Sequence, residues 1–334
     1  MPKCGPHNAL TDVEGVLVGH FTDLTAVSGV TVAVCPQGAV AGVDVRGSAP
    51  GTRETDLLNP INLCDKVNAI VLSGGSVYGH AVSDGVVRWL AAKGWGFPLE
   101  GGQVAPIVPG AVLYDLGRGP EFVPPLGPDW GQAACQAAHD GPVPVGSVGA
   151  GTGAISGGIK GGVGTASEVL DSGLTVAALL AVNSLGTVIE PAMGRPWESR
   201  LEMAGEFGPQ AGRRVRLPQP PASGPAKNTT IGIVATDAVL TKAQAQKLAQ
   251  MAQDGLARAI RPAHTMFDGD TIFCLATGKR NLPESSGFFA APSAQAINEL
   301  GRAAADCAAR AIIRGVLSAK GLAGIAAFGE LAEL

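Results

Sequence analysis

The stretch GSVGAGTGAISGGIKGGVGTAS, residues 146–167, limits what this 334-residue chain can fold into more than any other part of it. Glycine has no Cβ, so backbones approach closely there and dihedral angles closed to other residues become accessible. So much glycine is incompatible with a helix interior, where each one costs about 1 kcal/mol relative to alanine. The glycines follow no period of three, which excludes a collagen triple helix. The whole chain holds 48 glycines and 24 prolines, and aromatic residues make up only 4% of it. A hydrophobic share of 46% still supports a substantial core and excludes a disordered chain. That core must be built from Ala, Val, Leu and Ile, with many tight backbone contacts.

Short β-rich runs dominate the first third: VEGVLVGH, GVTVAVC, AVAGVDV and NAIVLSGG, each bounded by Gly, Pro or Asp. Apolar residues then recur at helical spacing in SVYGHAVSDGVVRWLAAKG, with Gly94 as its C-cap. APIVPG reads as an edge strand, DWGQAACQAAHDG as a short helix, and LTVAALLAVNSLGTVIEP as a strand pair turning at Asn183-Ser184-Leu185-Gly186. Residues 208–227 show no periodicity and are rich in Pro, Gly and Arg, the composition of an exposed linker. NTTIGIVATDA follows immediately as a strand. After it come the amphipathic helix TKAQAQKLAQMAQDGLARAI with Thr241 as N-cap, the strand TIFCLATG, and a long final helix ended at Gly321. Strand-then-helix passages flank the linker and there is no internal repeat. The pattern predicts a single α/β domain over 1–334 interrupted by an exposed loop at 208–228; two domains on a hinge is the alternative.

Several function classes drop out. Net charge is −4, and no basic run or neighbouring aromatic stripe exists, so neither nucleic acid nor a membrane is an expected partner. The opening MPKCGPHNALTDVEG lacks the apolar region of a secretion signal, and no apolar stretch is long enough to span a bilayer, which points to the cytoplasm. Cys4, Cys35, Cys64, Cys135, Cys274 and Cys307 show no CxxC spacing and read as buried free thiols. His7, His20, His80, His139 and His264 are scattered without metal-like spacing, so no metal is expected. No GxSxG elbow supports a Ser–His–Asp hydrolase. GAGTGA, from Gly149, fits a loose dinucleotide pattern, with Glu168 about 20 residues on. The following ISGGIKGG does not open a helix, and Ile159 stands where a phosphate loop needs glycine, so no nucleotide cofactor is expected.

Thr229 carries the strongest chemical signal. It stands where a mobile linker meets a rigid strand, with Asn228 before it. If its hydroxyl attacked the Asn228 carbonyl, an ester would form and water would release a new N-terminus. The freed α-amine, with a pKa of about 7.7–8, is a usable general base for the hydroxyl of its own residue. From spacing alone, Thr229 and Thr230 read more readily as ordinary β-branched strand residues. Lys160, alone among glycines, can point into a crowded site and assist proton transfer, or be a solvated loop lysine. Asn183 can donate to an oxyanion, or simply hold a turn. Asp268 and Asp270 in FDGDT can reach one place together, to orient the new amine or pair with Lys160, or can form a solvated acidic turn.

These signals occur together in VDVRGSAPGTRETDLLNP, AIVLSGGSVYGHAVSDGVVRWL, APIVPGAVLYDLG, GAGTGAISGGIKGGVGTAS, AVNSLG, NTTIGIVATDA and HTMFDGDTIF. In that order they resemble the family of L-aminopeptidase/D-esterases, β-aminopeptidases and endo-type 6-aminohexanoate-oligomer (nylon oligomer) hydrolases. The NTT junction and the FDGD pair look closest to the last branch. The resemblance implies two β-sheets sandwiched between helical layers (αββα), a self-processed N-terminal-nucleophile hydrolase related to the ornithine acetyltransferase fold. It implies cleavage of Asn228–Thr229 into chains 1–228 and 229–334. Thr229 would be the nucleophile, Lys160 the assisting lysine, Asn183 the oxyanion donor, Asp268 and Asp270 the acidic pair, and Tyr114 a pocket residue. Small peptides or linear amides are the implied substrates, no cofactor is implied, and the assembly is a homo-oligomer, a tetramer of processed heterodimers. His80 and Ser83 depart from the family pattern, which is more apolar or acidic there. An acyltransferase resembling ornithine acetyltransferase, and a non-catalytic relative of the same fold, are the competing readings.

Overall fold

The computed structural model describes residues 3–218, 228–284 and 292–334. Along its long strands, successive side chains point to opposite faces and both faces are apolar, so each strand must be covered on two sides. The strands are β1 (Leu17–Asp23), β2 (Ser28–Val45), β3 (Lys66–Ser73), β4 (Gly110–Val112), β5 (Gly162–Val169), β6 (Thr175–Asn183), β7 (Thr229–Ala238) and β8 (Thr271–Arg280). Hydrogen bonding runs β5-β6-β7-β8-β2-β3-β4 and ends on a two-residue strand, Thr52–Arg53, while β1 also pairs with β2. The β7–β8 and β3–β4 pairs are parallel, and the others are antiparallel.

The two runs GVTVAVC and AVAGVDV form one 18-residue strand, β2. Its register against β3 slips between Val34 and Ala39, around Pro36, Gln37 and Gly38, where Gly38 takes φ +69°. An irregularity of this kind bends a strand and raises its twist. The part before the bend pairs with β1, and Val40–Val45 pairs with β8. The sheet thereby folds over, and its two halves pack face to face. Ala33, Ile70 and Leu72 from one half share a core with Leu179, Ile233 and Phe273 from the other.

Helices cover the outer faces. α3 (Lys242–Ala259) and α4 (Ala294–Leu317) pack on Val176, Ala178, Leu180, Val234 and Ile272. α1 (Val82–Ala92) and α2 (Pro128–Gln136) pack on Val30, Val32, Ala69 and Val71. The order is helix, sheet, sheet, helix, as the resemblance implies. Thr241 caps α3 by accepting the Gln244 N–H, and the Gln244 side chain returns the bond.

Local differences from the sequence reading have physical causes. Ser76–Ala81 is a tighter 3-10 turn ahead of α1, and within it Gly79 lies so close to the Gly74 carbonyl that a Cβ would sit 2.0 Å from it. β6 has no hairpin partner downstream. Its neighbours are β5 and β7, because Gly186 turns the chain onto Arg261, where Thr187 forms a bridge, and Ile189–Glu190 pairs with Arg195–Pro196 instead. α4 ends at Leu317, before Gly321. The first half of the linker is docked: Val215 is buried and bridges Glu333, and Arg213 donates to the carbonyls of Gly329 and Leu331. Residues 219–227 of the linker lie outside the described residues. Cys35, Cys135, Cys274 and Cys307 are buried free thiols, and Cys4 and Cys64 are free and half-buried. Among the described residues no helix is long and apolar enough to cross a membrane.

The glycine run has a packing role. β5 lies directly under α4, and a Cβ on Gly164 would sit 1.9 Å from the Ala311 carbonyl oxygen. Gly164→Ala should therefore force the strand and helix apart and destabilise the protein by about 1–3 kcal/mol. Denaturant unfolding of the variant beside wild type checks this; an unchanged midpoint would show that the close approach is not needed.

Candidate active site

β7 begins at Thr229, which is 4% exposed. Two neighbouring segments hold it, the end of β6 and the loop before β8. Thr229 is in register with Asn183 at the end of β6. Asn228 bridges Asp268 in parallel, just before β8. Behind the threonine, Gly269 leaves room that a side chain would fill: a Cβ there would lie 3.0 Å from the Thr229 hydroxyl and 2.6 Å from the Ala49 carbonyl oxygen. Thr229 Oγ1 donates to the carbonyl oxygen of Asn228, in the peptide bond that precedes it. The hydroxyl thus lies against the Asn228–Thr229 peptide bond.

The two aspartates divide the work of holding this junction. Asp270 Oδ1 accepts the Thr230 N–H at 2.8 Å. Its Oδ2 accepts from both the backbone N–H and Nδ1 of His264, at 3.0 and 2.9 Å. Asp268 Oδ2 accepts the N–H and hydroxyl of Thr265, and its Oδ1 accepts the Leu185 N–H at 3.3 Å. Burial raises the Asp268 pKa, the Thr265 hydroxyl opposes the rise, and the charge of Asp270 adds to it. Neither carboxylate pairs with Lys160 among the described residues, so that expectation is replaced by these bonds. His264, set aside in the sequence as one of several scattered histidines, is a partner of the pair. Its left-handed φ of +54° turns it back onto Asp270, which spacing along the chain does not reveal.

Asn183 is fully buried and its amide is oriented at both ends: Oδ1 accepts the Ile155 N–H at 2.9 Å, and Nδ2 donates to the Tyr114 carbonyl at 3.1 Å. Lys160 is 2% exposed rather than solvated. Its Nζ donates to the carbonyls of Thr152 and Ala154 at 2.7 and 2.8 Å. Its pKa is lowered to about 8, by burial first and by the charge of Arg118 second, with Asp115 opposing. Asp115 is a second group that the sequence reading passed over. It sits inside the apolar stretch VLYDLG, accepts from Ser28 Oγ and Gly75 N–H at 2.7 and 2.6 Å, and is pushed up to about 6 by burial.

A cleft of about 570 Å³ opens onto Thr229. Its walls are the 49–52 segment, the Ser76–His80 turn, Val112 with Tyr114, and Phe267. Tyr114 is thus placed both at the cleft and, through its carbonyl, on Asn183. Among the described residues, no three His, Cys, Asp or Glu side chains converge as metal ligands would. A buried hydroxyl beside a carbonyl, an oriented amide and an adjoining cleft are the parts that acyl transfer to a hydroxyl requires.

The model of the family described as peptidase family S58 matches residues 8–328. An uncharacterized aminopeptidase of Mycobacterium tuberculosis is 47% identical, over 97% of this chain and 98% of its own. The 6-aminohexanoate-oligomer endohydrolase of a Kocuria species is 30% identical, over 83% of this chain and 77% of its own. Among solved structures, a Burkholderia sp. beta-aminopeptidase aligns with a TM-score of 0.72 at 27% identity, covering 97% of this chain and 91% of its own.

Lys160 gives a pH signature. Between about pH 8 and 10.5 the unfolded lysine is protonated and the folded one is not, so the unfolded state binds more protons and stability rises with pH. Below pH 8 both states are protonated and the full burial penalty applies. Wild type should therefore gain on Lys160→Met across that window by on the order of 3 kcal/mol. Urea unfolding of both proteins from pH 7 to 10.5 measures it, and parallel stability curves would refute it.

Proposed function

The chain belongs to peptidase family S58 and is a peptide hydrolase, and from that premise we propose that it cuts itself between Asn228 and Thr229 and then hydrolyses linear amides through Thr229. The observation carrying this reading is the Thr229 hydroxyl turned onto the Asn228 carbonyl at the first residue of a buried strand. In the self-cleavage step Oγ1 attacks the Asn228 carbonyl carbon and the C–N bond breaks, leaving an ester. Water then hydrolyses the ester to give the Asn228 carboxylate and a free Thr229 α-amine. Chains 1–228 and 229–334 remain together because β6, β7 and β8 are hydrogen-bonded neighbours.

The same groups then act on substrate. The neutral α-amine takes the hydroxyl proton, Oγ1 attacks the substrate carbonyl, and the Asn183 Nδ2 amide supports the oxyanion. The leaving amine takes a proton from the α-ammonium, and water releases the acid from the acyl-enzyme. Asp270 keeps the nucleophile's strand in place through Thr230, Asp268 holds the neighbouring turn, and Lys160 adds positive potential on the side of Ile155 and Asn183. Peptides with small N-terminal residues, β-amino acid amides and 6-aminohexanoate oligomers are the substrate candidates.

Intact-mass analysis should show two fragments for wild type, the smaller beginning at Thr229, and one full-length species for Thr229→Ala. A wild type that stays whole yet hydrolyses amides would overturn the mechanism. Asn183→Ala, if it still matures, should lose about 10²–10³-fold in kcat. The acting base must be neutral, so kcat/KM of the mature enzyme should fall as pH drops below about 7.7–8. A rate independent of pH from 6 to 9 would exclude the α-amine as base.

A further inference from the structure

Asp115 is fully buried, and its carboxylate meets donors from two other segments. Oδ1 accepts the Gly75 N–H at 2.6 Å, and Oδ2 accepts the Ser28 hydroxyl at 2.7 Å. Desolvation disfavours its charged form, and the two donors and the Arg118 charge oppose that effect. The space around it is closely fitted. A Cβ on Gly74 would sit 2.2 Å from Asp115 Oδ2, and one on Gly153 would sit 2.6 Å from Asp115 Cβ.

Both segments that orient the Asn183 amide meet at this residue. The carbonyl that accepts from Asn183 Nδ2 belongs to the planar peptide unit joining Tyr114 to Asp115. With the Asp115 side chain tied to Gly75 and Ser28, that unit has little freedom to turn. At the other end, Asn183 Oδ1 accepts from Ile155, two residues after Gly153. Gly153 packs on Asp115, while the carbonyls of its neighbours Thr152 and Ala154 bind Lys160 Nζ. The segment 152–155 is therefore held by an aspartate packed on it and a lysine bonded to it. A primary amide nitrogen carries two N–H donors, so the bond to Tyr114 sets where the second one points.

On the reading that Thr229 is the nucleophile and Asn183 supports the oxyanion, we infer that Asp115 is the positioning residue of that amide, fixing through Tyr114 and Gly153 the two segments that aim it. Asp115 is buried and is not among the residues lining the cleft, so it acts through Asn183 and not on the substrate.

The test uses processed protein and whichever of alanyl-, β-alanyl- and 6-aminohexanoyl-p-nitroanilide wild type turns over fastest. Its companion is the boronic acid with boron in place of that probe's carbonyl carbon: 1-aminoethyl-, 2-aminoethyl- or 5-aminopentylboronic acid respectively. Thr229 Oγ1 adds to boron, the hydroxyl proton passes to the α-amine, and a boronate oxygen stands where the oxyanion would be. Removing an oxyanion donor outright costs about 10²–10³-fold, so misaiming it in Asp115→Ala should lower kcat by about tenfold and weaken boronate binding by about the same factor, with a smaller change in KM. Asp115→Asn keeps an acceptor for Gly75 and a hydrogen-bonding group for Ser28, and should restore kcat to within about threefold of wild type. Ser28→Ala should move kcat and boronate binding in the same direction by about threefold, and carries the test should Asp115→Ala fail to mature. A fall in kcat with unchanged boronate binding means fewer active molecules, not a misaimed amide, and overturns the inference. Wild-type kcat in Asp115→Ala or, failing that variant, in Ser28→Ala overturns it too, as does Asp115→Asn as impaired as Asp115→Ala. Each of these outcomes leaves Thr229 as nucleophile. Turnover of none of the three probes by fully processed wild type removes the hydrolase reading itself, and the inference with it.

Discussion

The carboxylate of Asp270 is the point on which the site depends. One oxygen holds the N–H of Thr230 on β7, and the other holds two donors of His264, while its own backbone carbonyl accepts the N–H groups of Arg46 and Gly47 just past β2. A single buried residue therefore ties together the start of β7, the loop before β8 and the end of β2. Hydrogen bonds to an ionised acceptor are among the stronger ones, and few side chains can accept so many. Without this tie, the first residue of β7 would be the frayed end of a strand following a long linker. With it, Thr229 is held to its register opposite Asn183, and its hydroxyl to the preceding carbonyl.

Close backbone approach makes the remaining geometry possible. Gly269 leaves room for the Thr229 hydroxyl, Gly161 lies against the Val182 carbonyl next to Asn183, and Gly164 brings β5 under α4. At each of these positions an added Cβ would sit within 3.0 Å of another atom. Within the glycine-dense stretch, Gly161 and Gly164 are therefore points of close backbone contact with β6 and α4.

The site holds charge away from water at some cost in stability. Lys160 is buried against two carbonyls and its pKa falls to about 8, and Asp115 is buried against a hydroxyl and an N–H and its pKa rises to about 6. Perturbation in opposite directions within one small region is characteristic of functional sites, since desolvation disfavours whichever form is charged. The apolar layers on either side, with cores drawn from both half-sheets, support this penalty.

Sequence alone determined the alternation of apolar strands and amphipathic helices, the linker ending at Asn228, and the residue types capable of acyl chemistry, because these are local properties of spacing and composition. The capped start of α3 and the strand opening at Thr229 were legible for that reason. Tertiary structure decided what depends on contacts between distant segments. It fused two expected strands into the bent β2, sent the chain after Asn183 to Arg261 instead of into a hairpin, and buried Val215 of the linker. It gave the aspartates to His264, Thr230, Thr265 and Leu185 rather than to Lys160, and brought Asp115 into the charge balance around that lysine. Burial and hydrogen-bond partners are set by which surfaces meet when the layers close, and residues far apart in the chain carry no local sign of that meeting.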